Sequence, residues 1–394
     1  MSRLMIGSPG VTIPPIRSAV EQARKNEQKG YDSMWWPDHL MGWIPDSIWT
    51  TDLFPLSAMM PSPHLFLEPT STISAVADST HRLTLGTAVM DTIRRHPAVI
   101  AQTALTLDHI TEGRFILGLG AGEGENLIPY GAPFDRPADR LEEAVKVIRL
   151  LWECRGKSVS FDGKYWKLNR ATLYLPPYGE SPPPVWIAGQ APKMLGITGR
   201  MADGWLPILL SLEEYRKRWS IVEKASLASG RDPQKITRGM WTWLITDADE
   251  AECEKLLDSA FARSIALIAP SEIYEEEGYE HPLGGGFYGL RDYIPNRLSR
   301  DEALAALRKV PREVCEKAVM FGSPDQIVNK LEAYAEAGLQ HVVLWNATFF
   351  CDINKLSSSF HCMDEILKHF KSKEQQPTTI SKADARSSAG RQQA

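Results

Sequence analysis

The sequence is poor in cysteine and has no long apolar run. Its 394 residues contain five cysteines, an odd number, and none of them forms a C-x-x-C pair. This pattern argues against a disulfide framework and against structural zinc, and we expect no metal site. No segment approaches the ~20 apolar residues of a membrane-spanning helix, and the apolar run at the N-terminus is far shorter than a signal-peptide core. We therefore expect a cytoplasmic protein without a membrane span.

A concentrated positive charge is also missing. The 44 Lys and Arg are spread along the chain and face 49 Asp and Glu, which gives a formal net charge of −5. Without a basic field the chain is not expected to bind nucleic acid, and a small-molecule substrate fits better.

The fingerprints of nicotinamide-binding and ATP-binding folds are absent. The first predicted strand is followed by Pro9-Gly10, which is no phosphate-binding turn. The glycine-rich run from Gly118 to Gly124 follows the fourth predicted strand and contains neither G-x-G-x-x-G nor G-x-x-x-x-G-K-[ST]. An open, doubly wound sheet is therefore not favoured.

What the sequence has instead is an alternation of short apolar runs with helical patterns, which is typical of a parallel sheet with crossover helices. Eight strands are predicted, the number that closes a (β/α)8 or TIM barrel. They cover 4–8, 33–37, 83–90, 115–120, 185–188, 204–207, 239–245 and 341–345. The predicted helices cover 15–29, 70–79, 98–110, 136–153, 212–228 and 324–337.

Three inserts and a tail accompany the predicted barrel. Segments 40–69 and 270–300 have no clear pattern and are expected to be long loops that act as lids or determine substrate specificity. Segment 159–174 is predicted to be a β-hairpin that turns at Asp162-Gly163. We expect one domain, an α/β barrel over 1–371, and a disordered polar tail over 372–394.

Chemistry in such a barrel is expected at the carboxyl ends of the strands. Asp38, His39 and Trp43 follow the second strand, and Glu123 lies in the glycine-rich turn after the fourth. Histidine is a residue type suited to acid–base work, and the position of His39 beside a carboxylate favours that role over a purely structural histidine. Asp38 either orients a neighbour or caps a turn, and Trp43 alone is also compatible with loop packing. Glu123 is either a proton donor or a helix-start carboxylate, and the residues alone leave both interpretations open.

Taken in order, these segments resemble the luciferase-like oxidoreductases that use the deazaflavin coenzyme F420. The resemblance covers about residues 3 to 370. It rests on Asp38-His39 with Trp43, Gly86-Thr87-Ala88-Val89, Arg95-His96-Pro97-Ala98, Gly113-Arg114, Gly120-x-Gly122-Glu123, Ile187-Ala188-Gly189, Ala202-Asp203-Gly204-Trp205 and Gly322-Ser323-Pro324-Asp325. A closer similarity, to the mycobacterial phthiodiolone and phenolphthiodiolone ketoreductases that reduce a ketone on a wax lipid, is carried by Asp38-His39-Leu40, Ile44-Pro45-x-Ser47-Ile48, Pro129-Tyr130-Gly131 and His281-Pro282-Leu283-Gly284.

The resemblance implies a role for each site residue. His39 and Glu123 match the proton-handling pair, and Trp43 matches the aromatic over the reacting centre, so these three are the expected catalytic residues. It also implies a non-prolyl cis peptide bond between Ala88 and Val89 behind the deazaflavin ring. The remaining residues expected to bind the coenzyme are Asp38, Asp91 and Thr92 near the ring and the backbone N–H groups of Gly120, Ala121, Gly122, Gly189, Gln190 and Ala191 near the phosphate.

The implied function is hydride transfer between F420 and a carbonyl or alcohol centre of a lipophilic substrate, by a homodimer. The main alternative keeps the fold and uses FMN, as a luciferase-like monooxygenase. Enzymes similar to the methylene-tetrahydromethanopterin reductases or to the F420-dependent sugar-phosphate dehydrogenases are further alternatives, although segment 207–211 (Pro-Ile-Leu-Leu-Ser) lacks the basic side chain that holds a sugar phosphate. A barrel that has lost catalysis and only binds its ligand is disfavoured by the presence of His39, Glu123 and Trp43.

Overall fold

The computed structural model describes residues 3–372, and within this range it contains twelve β-strands and fifteen α-helices. The strands are β1 Met5–Pro9, β2 Ser33–Trp36, β3 Thr84–Thr87, β4 Met90–Asp91, β5 Phe115–Gly120, β6 Val159–Asp162, β7 Lys167–Ala171, β8 Val185–Ile187, β9 Gly204–Trp205, β10 Thr237–Ile245, β11 Met320–Phe321 and β12 His341–Asn346. The helices are α1 Ile16–Lys29, α2 Pro69–Ala77, α3 Pro97–Ile110, α4 Gly124–Leu127, α5 Pro137–Glu153, α6 Pro192–Met201, α7 Leu212–Ala228, α8 Glu250–Leu256, α9 Ala260–Leu267, α10 Ser271–Glu276, α11 Arg300–Lys309, α12 Arg312–Ala318, α13 Pro324–Glu336, α14 Thr348–Cys351 and α15 Leu356–Ser372.

Eight of the strands form a closed parallel barrel. They pair in the order β1-β2-β3-β5-β8-β9-β10-β12, and β12 pairs with β1 to close the circle. The register places Gly7 opposite Ser33 and Trp35 opposite Gly86. The predicted (β/α)8 barrel is therefore confirmed, and each of the eight predicted strands overlaps one of its strands.

Helices cover the outside of the barrel with one apolar face each. In α5, Leu141, Val145, Ile148 and Trp152 recur at helical spacing and are buried, while the opposite face is charged. The helix begins with Pro137 in its first turn, where a missing N–H removes no helical hydrogen bond. The same pattern packs the helices around a continuous core between them and the strands.

Tryptophan fills the inside of the barrel. The rings of Trp35 and Trp186 lie 5.2 Å apart, and Trp241 belongs to the same buried cluster. His341 lies among these rings, with its Nε2 2.6 Å from the Ser33 hydroxyl. Burial lowers the pKa of His341 to about 4, so its imidazole is neutral at physiological pH. The barrel is thus packed inside, which leaves its carboxyl-terminal end for ligands.

Three local predictions meet different outcomes. The hairpin is confirmed, since β6 and β7 pair antiparallel, but Asp162 pairs with Lys167 and the turn covers 163–166 rather than Asp162-Gly163. The third strand is not continuous over 83–90: it breaks at Ala88–Val89, a cis peptide bond, and resumes as β4. The two long inserts are not structureless, which corrects the prediction for 40–69 and 270–300.

Short helices occupy both inserts. Segment 40–69 contains the 3-10 helices Asp46–Ile48 and Pro55–Ala58, and segment 270–300 contains α10 and the 3-10 helices Gly289–Arg291 and Pro295–Arg297. These two segments pack with α9, α11 and α12 into a second apolar cluster over one side of the barrel. Helices this short leave no periodic signal in the sequence, because one or two turns present too few buried residues.

No helix within residues 3–372 is long and apolar enough to cross a membrane. Of the predicted tail, 372–394, only Ser372 belongs to the described residues, as the last residue of α15, and the rest lies outside them.

Candidate active site

The loops that follow β2, β4, β5 and β8 meet at one end of the barrel. Parallel strands all end on the same side, so segments far apart in sequence become neighbours there. This topology brings together the candidate residues of 38–43, 88–92, 120–126 and 189–191.

His39 and Glu123 face each other across this end of the barrel. His39 follows β2, Glu123 precedes the first residue of α4, and His39 Nε2 lies 3.2 Å from Glu123 Oε2. Both side chains are partly accessible, with exposed fractions of 15% and 29%. His39 Nδ1 is buried and has no hydrogen-bond partner among residues 3–372. A proton can therefore be held between an imidazole and a carboxylate at a place that a substrate can reach.

Asn126 clamps these two residues together, and sequence analysis did not identify it. Its Oδ1 accepts hydrogen bonds from the backbone N–H groups of Leu40 (2.7 Å) and Met41 (3.0 Å), and its Nδ2 donates to Glu123 Oε2 at 3.1 Å. One side chain thus fixes the loop that carries His39 and orients the carboxylate of Glu123.

Two predicted coenzyme-binding carboxylates are occupied by arginines. The buried Asp38 carboxylate receives Arg94 at 3.0 Å and also Arg95. Burial raises the pKa of Asp38, and the two guanidinium groups oppose that shift. The Asp91 carboxylate binds Arg94 and accepts the backbone N–H groups of Ile93 and Arg94 at 2.8 and 2.7 Å. In this structure both carboxylates hold loops in place.

The turn between β3 and β4 packs directly on the glycine-rich turn. The Ala88–Val89 peptide bond is cis, as expected. A Cβ added at Gly120 would lie 2.5 Å from a methyl carbon of Val89, so only glycine allows this approach. Thr92 is fully buried, and its hydroxyl has no partner among the described residues. A buried hydroxyl of this kind needs a partner, which a bound water or a ligand can supply.

The second glycine-containing turn starts helix α6. The N-cap residue of α6 is Ala191, whose side chain cannot accept a hydrogen bond from the start of the helix. N–H groups of the first turn are therefore left for water or a ligand. Gln190 donates its side-chain amide to the carbonyl of Ile208 at 2.9 Å, and Trp205 donates to the carbonyl of Gly189 at 2.8 Å. These bonds fix the backbone of residues 189–191 while leaving the start of the helix open.

Trp43 lies at the boundary between the barrel and an apolar cavity. Its ring contacts Trp345 (5.7 Å between centroids) and Trp243 (5.9 Å), and its Nε1 donates to Ser264 at 3.4 Å. The cavity has a volume of about 240 Å³ and is lined mainly by aromatic and aliphatic side chains. Its lining includes Trp43, Ile44, Phe66, Trp345, Phe349 and Met363. Phe66 also packs against the His39 ring, 5.2 Å away, and so connects the cavity with His39, although neither His39 nor Glu123 is among the lining residues.

A second carboxyl group, that of Glu125, lies close to His39 and Glu123. Each of His39, Glu123 and Glu125 offers one atom that could bind a metal ion, and these three atoms lie within 4.8 Å of one another. Metal binding by this group would need an ionised Glu125. Burial opposes that state and raises the pKa of Glu125 well above its ordinary value, with the charge of Glu123 adding to the effect.

Comparison with known proteins gives a consistent assignment. The sequence model described as luciferase-like monooxygenase matches residues 3–341. The phthiodiolone/phenolphthiodiolone dimycocerosates ketoreductase of Mycobacterium tuberculosis is 36% identical over 339 residues, which cover 85% of this chain and 89% of that protein. The F420-dependent glucose-6-phosphate dehydrogenase of Nakamurella multipartita is 29% identical over 356 residues, covering 84% and 91%.

A similar fold is found among solved structures. An F420-dependent secondary alcohol dehydrogenase in complex with an F420-acetone adduct superposes with a TM-score of 0.71 at 24% identity, covering 92% of this chain and 99% of that one. The chain belongs to the luciferase-like family and is an oxidoreductase.

Proposed function

We propose that this enzyme is an F420-dependent oxidoreductase that transfers hydride between the deazaflavin and a carbonyl or alcohol carbon of a lipophilic substrate. The observation that carries the proposal is the 3.2 Å contact between His39 and Glu123, which is connected through Phe66 with an apolar cavity. The names of the ketoreductase and the F420-dependent dehydrogenase among its relatives support the same chemistry.

The residues at the end of the barrel fit the coenzyme. Thr92 has a buried hydroxyl without a protein partner in the described range, and Gly120 and Gly122 bring no side chain to the turn. We expect the ring to lie against Ala88–Val89 with Asp38, Asp91 and Thr92 at its polar edge. The phosphate is expected near the backbone of Gly120, Ala121, Gly122, Gly189, Gln190 and Ala191. When bound, F420 supplies a carbon that gives or takes a hydride.

The protein's own contribution is proton management. Reduction of a ketone leaves a negative charge on the carbonyl oxygen, which must receive a proton. His39 Nε2 and Glu123 Oε2 share the position from which that proton can be delivered, and in the oxidation direction the same atoms accept it. The ring of Phe66 packs against His39 and excludes water from that face of the pair.

The cavity supports an apolar substrate. Two of its few polar lining groups are satisfied internally, because Asn26 donates to Ser8 at 2.8 Å and Asn346 donates to Ser359 at 2.9 Å. Binding an alkyl chain there leaves these bonds intact, whereas a phosphosugar finds no basic side chain in the lining.

Chain length is therefore the experimental variable. Secondary alcohols from 2-propanol to 2-tridecanol are tested for reduction of F420. Each methylene buried in the cavity contributes about 0.8 kcal/mol, so kcat/KM is expected to rise about fourfold per methylene until the cavity is full. Flat kcat/KM across the series contradicts the lipophilic substrate, and failure of every alcohol and matching ketone contradicts the proposed reaction.

Two neighbouring methionines provide a matched pair of variants. Met60 lines the cavity, whereas Met59 does not and is 74% exposed. Met60→Trp is expected to lower the preferred chain length, and Met59→Trp to leave the length profile unchanged. An equal effect of both substitutions argues against binding of the chain in this cavity.

A further inference from the structure

Glu125 is a buried acid that the proton-transfer scheme above does not use. Its side chain in α4 is 0% exposed, and neither carboxylate oxygen has a hydrogen-bond partner among residues 3–372. A buried, unpaired carboxylate is strongly disfavoured, so such a group takes up a proton or finds a partner.

The residues packed around Glu125 shield it from water. A Cβ added at Gly124 would lie 2.4 Å from the carbonyl oxygen of Arg291, so the segment 291–293 packs directly on the start of α4. Tyr293 comes from this segment, and its pKa is raised by burial and by the negative charge that Glu125 can carry. The titratable groups that face Glu125 are thus Tyr293 on one side and the pair His39 and Glu123 on the other.

Glu125 and Glu123 cannot both be ionised without strong repulsion. Their nearest oxygens lie within 4.8 Å of each other, and Glu123 is the more exposed of the two and is bound by Asn126. Two carboxyl groups this close, one of them shielded from water, lose their protons in two separate steps. Over the pH range between the two steps the pair keeps one proton and carries a single negative charge.

We propose that Glu125 is a positioning residue that keeps its proton at neutral pH, so that Glu123 alone carries the negative charge that His39 faces. Glu125 then places a neutral carboxyl group beside Glu123, and no second negative charge is added to the site. The catalytic meaning of this protonation rests on the proposed function, but the protonation itself does not.

The first test uses the full chain without coenzyme. Infrared pH-difference spectra are expected to contain the carbonyl band of a protonated carboxyl group at pH 7, and Glu125→Gln is expected to remove it. If that variant does not fold, wild-type protein labelled with carboxyl-¹³C glutamate gives the same band with an isotope shift. Absence of any protonated glutamate band at pH 7 overturns the proposal.

The second test follows the His39 ring by NMR, again without coenzyme. If Glu125 is neutral, Glu125→Gln removes no charge and the pKa of His39 stays unchanged. If Glu125 is ionised, loss of a full charge at this distance lowers the pKa of His39 by about one to two units, which refutes the proposal.

A third measurement addresses catalysis. With F420 and a substrate that turns over, Glu125→Gln is expected to move the alkaline limb of the kcat profile, because glutamine has no carboxyl proton to lose and cannot add a second negative charge beside Glu123. A fall in kcat with an unmoved profile indicates a purely structural residue and contradicts the proposal. Failure to turn over any substrate counts against the proposed function only, since the infrared and NMR results stand without it.

Discussion

Asn126 provides the most direct test of how the acid–base pair is held in place. Its side chain makes two hydrogen bonds to the backbone of Leu40 and Met41 and one to the carboxylate of Glu123. A neutral bond contributes about 1 kcal/mol and a bond to a charged group about 2 kcal/mol, so Asn126→Ala should lower the free energy of unfolding by about 4 kcal/mol. Turnover should fall as well, because His39 and Glu123 lose their shared anchor.

The assay is urea unfolding followed by tryptophan fluorescence, alongside turnover with F420. Asn169→Ala, at an exposed position of the β-hairpin, is the control and should change stability by less than about 0.5 kcal/mol. Asn126→Asp separates the two roles, because its carboxylate still accepts both backbone N–H groups but repels Glu123. It should raise the pH optimum of turnover. Stability of Asn126→Ala within about 1 kcal/mol of wild type refutes the clamp.

Three further predictions concern single residues. His39→Ala and Glu123→Gln should each lower kcat by about 10²–10⁴-fold while F420 affinity, measured by titration, stays similar; near-normal turnover in both assigns the proton to another group. Trp43→Ala should lower both kcat and coenzyme affinity, since the ring contributes packing as well as geometry, and a change in neither removes its role. Because burial lowers the pKa of His341 to about 4, the unfolded chain binds a proton below about pH 6.5 that the folded chain does not. Stability should therefore fall by about 3 kcal/mol between pH 6.5 and 4, and chemical denaturation of His341→Gln should give a shallower pH dependence; equal slopes contradict this.

The barrel could be predicted from sequence for physical reasons, and so could the meeting of the strand ends that carry His39 and Glu123, whereas their acid–base role came from the resemblance and stays a prediction. Strands that are buried on both faces are recognisable as short apolar runs, and parallel topology brings their ends together. His39 and Glu123 therefore meet although they are far apart in the chain. The cis bond at Ala88–Val89 followed from the resemblance alone, since no local pattern in those residues indicates it.

The rest of the site depends on contacts that leave no local signal. Asn126 acts through the backbone of residues 40 and 41, separated from it by 86 and 85 positions. Glu125 is buried where segment 291–293 packs on the start of α4, and this contact joins the insert 270–300 to the loop after β5, whose short helices have no clear periodicity. The arginines that bind the carboxylates of Asp38 and Asp91 become visible only in three dimensions. The coenzyme-binding roles of these two residues stay predictions. The homodimer also stays a prediction.

Coenzyme preference is the central claim, and it can be measured directly. The purified, coenzyme-free chain is titrated with F420 and, separately, with FMN, and binding is followed by the fluorescence of each coenzyme. The account predicts saturation near one equivalent of F420 per chain and clearly weaker binding of FMN. FMN that copurifies at near one equivalent, together with no detectable binding of F420, would contradict it and would assign the barrel to the FMN-dependent monooxygenases.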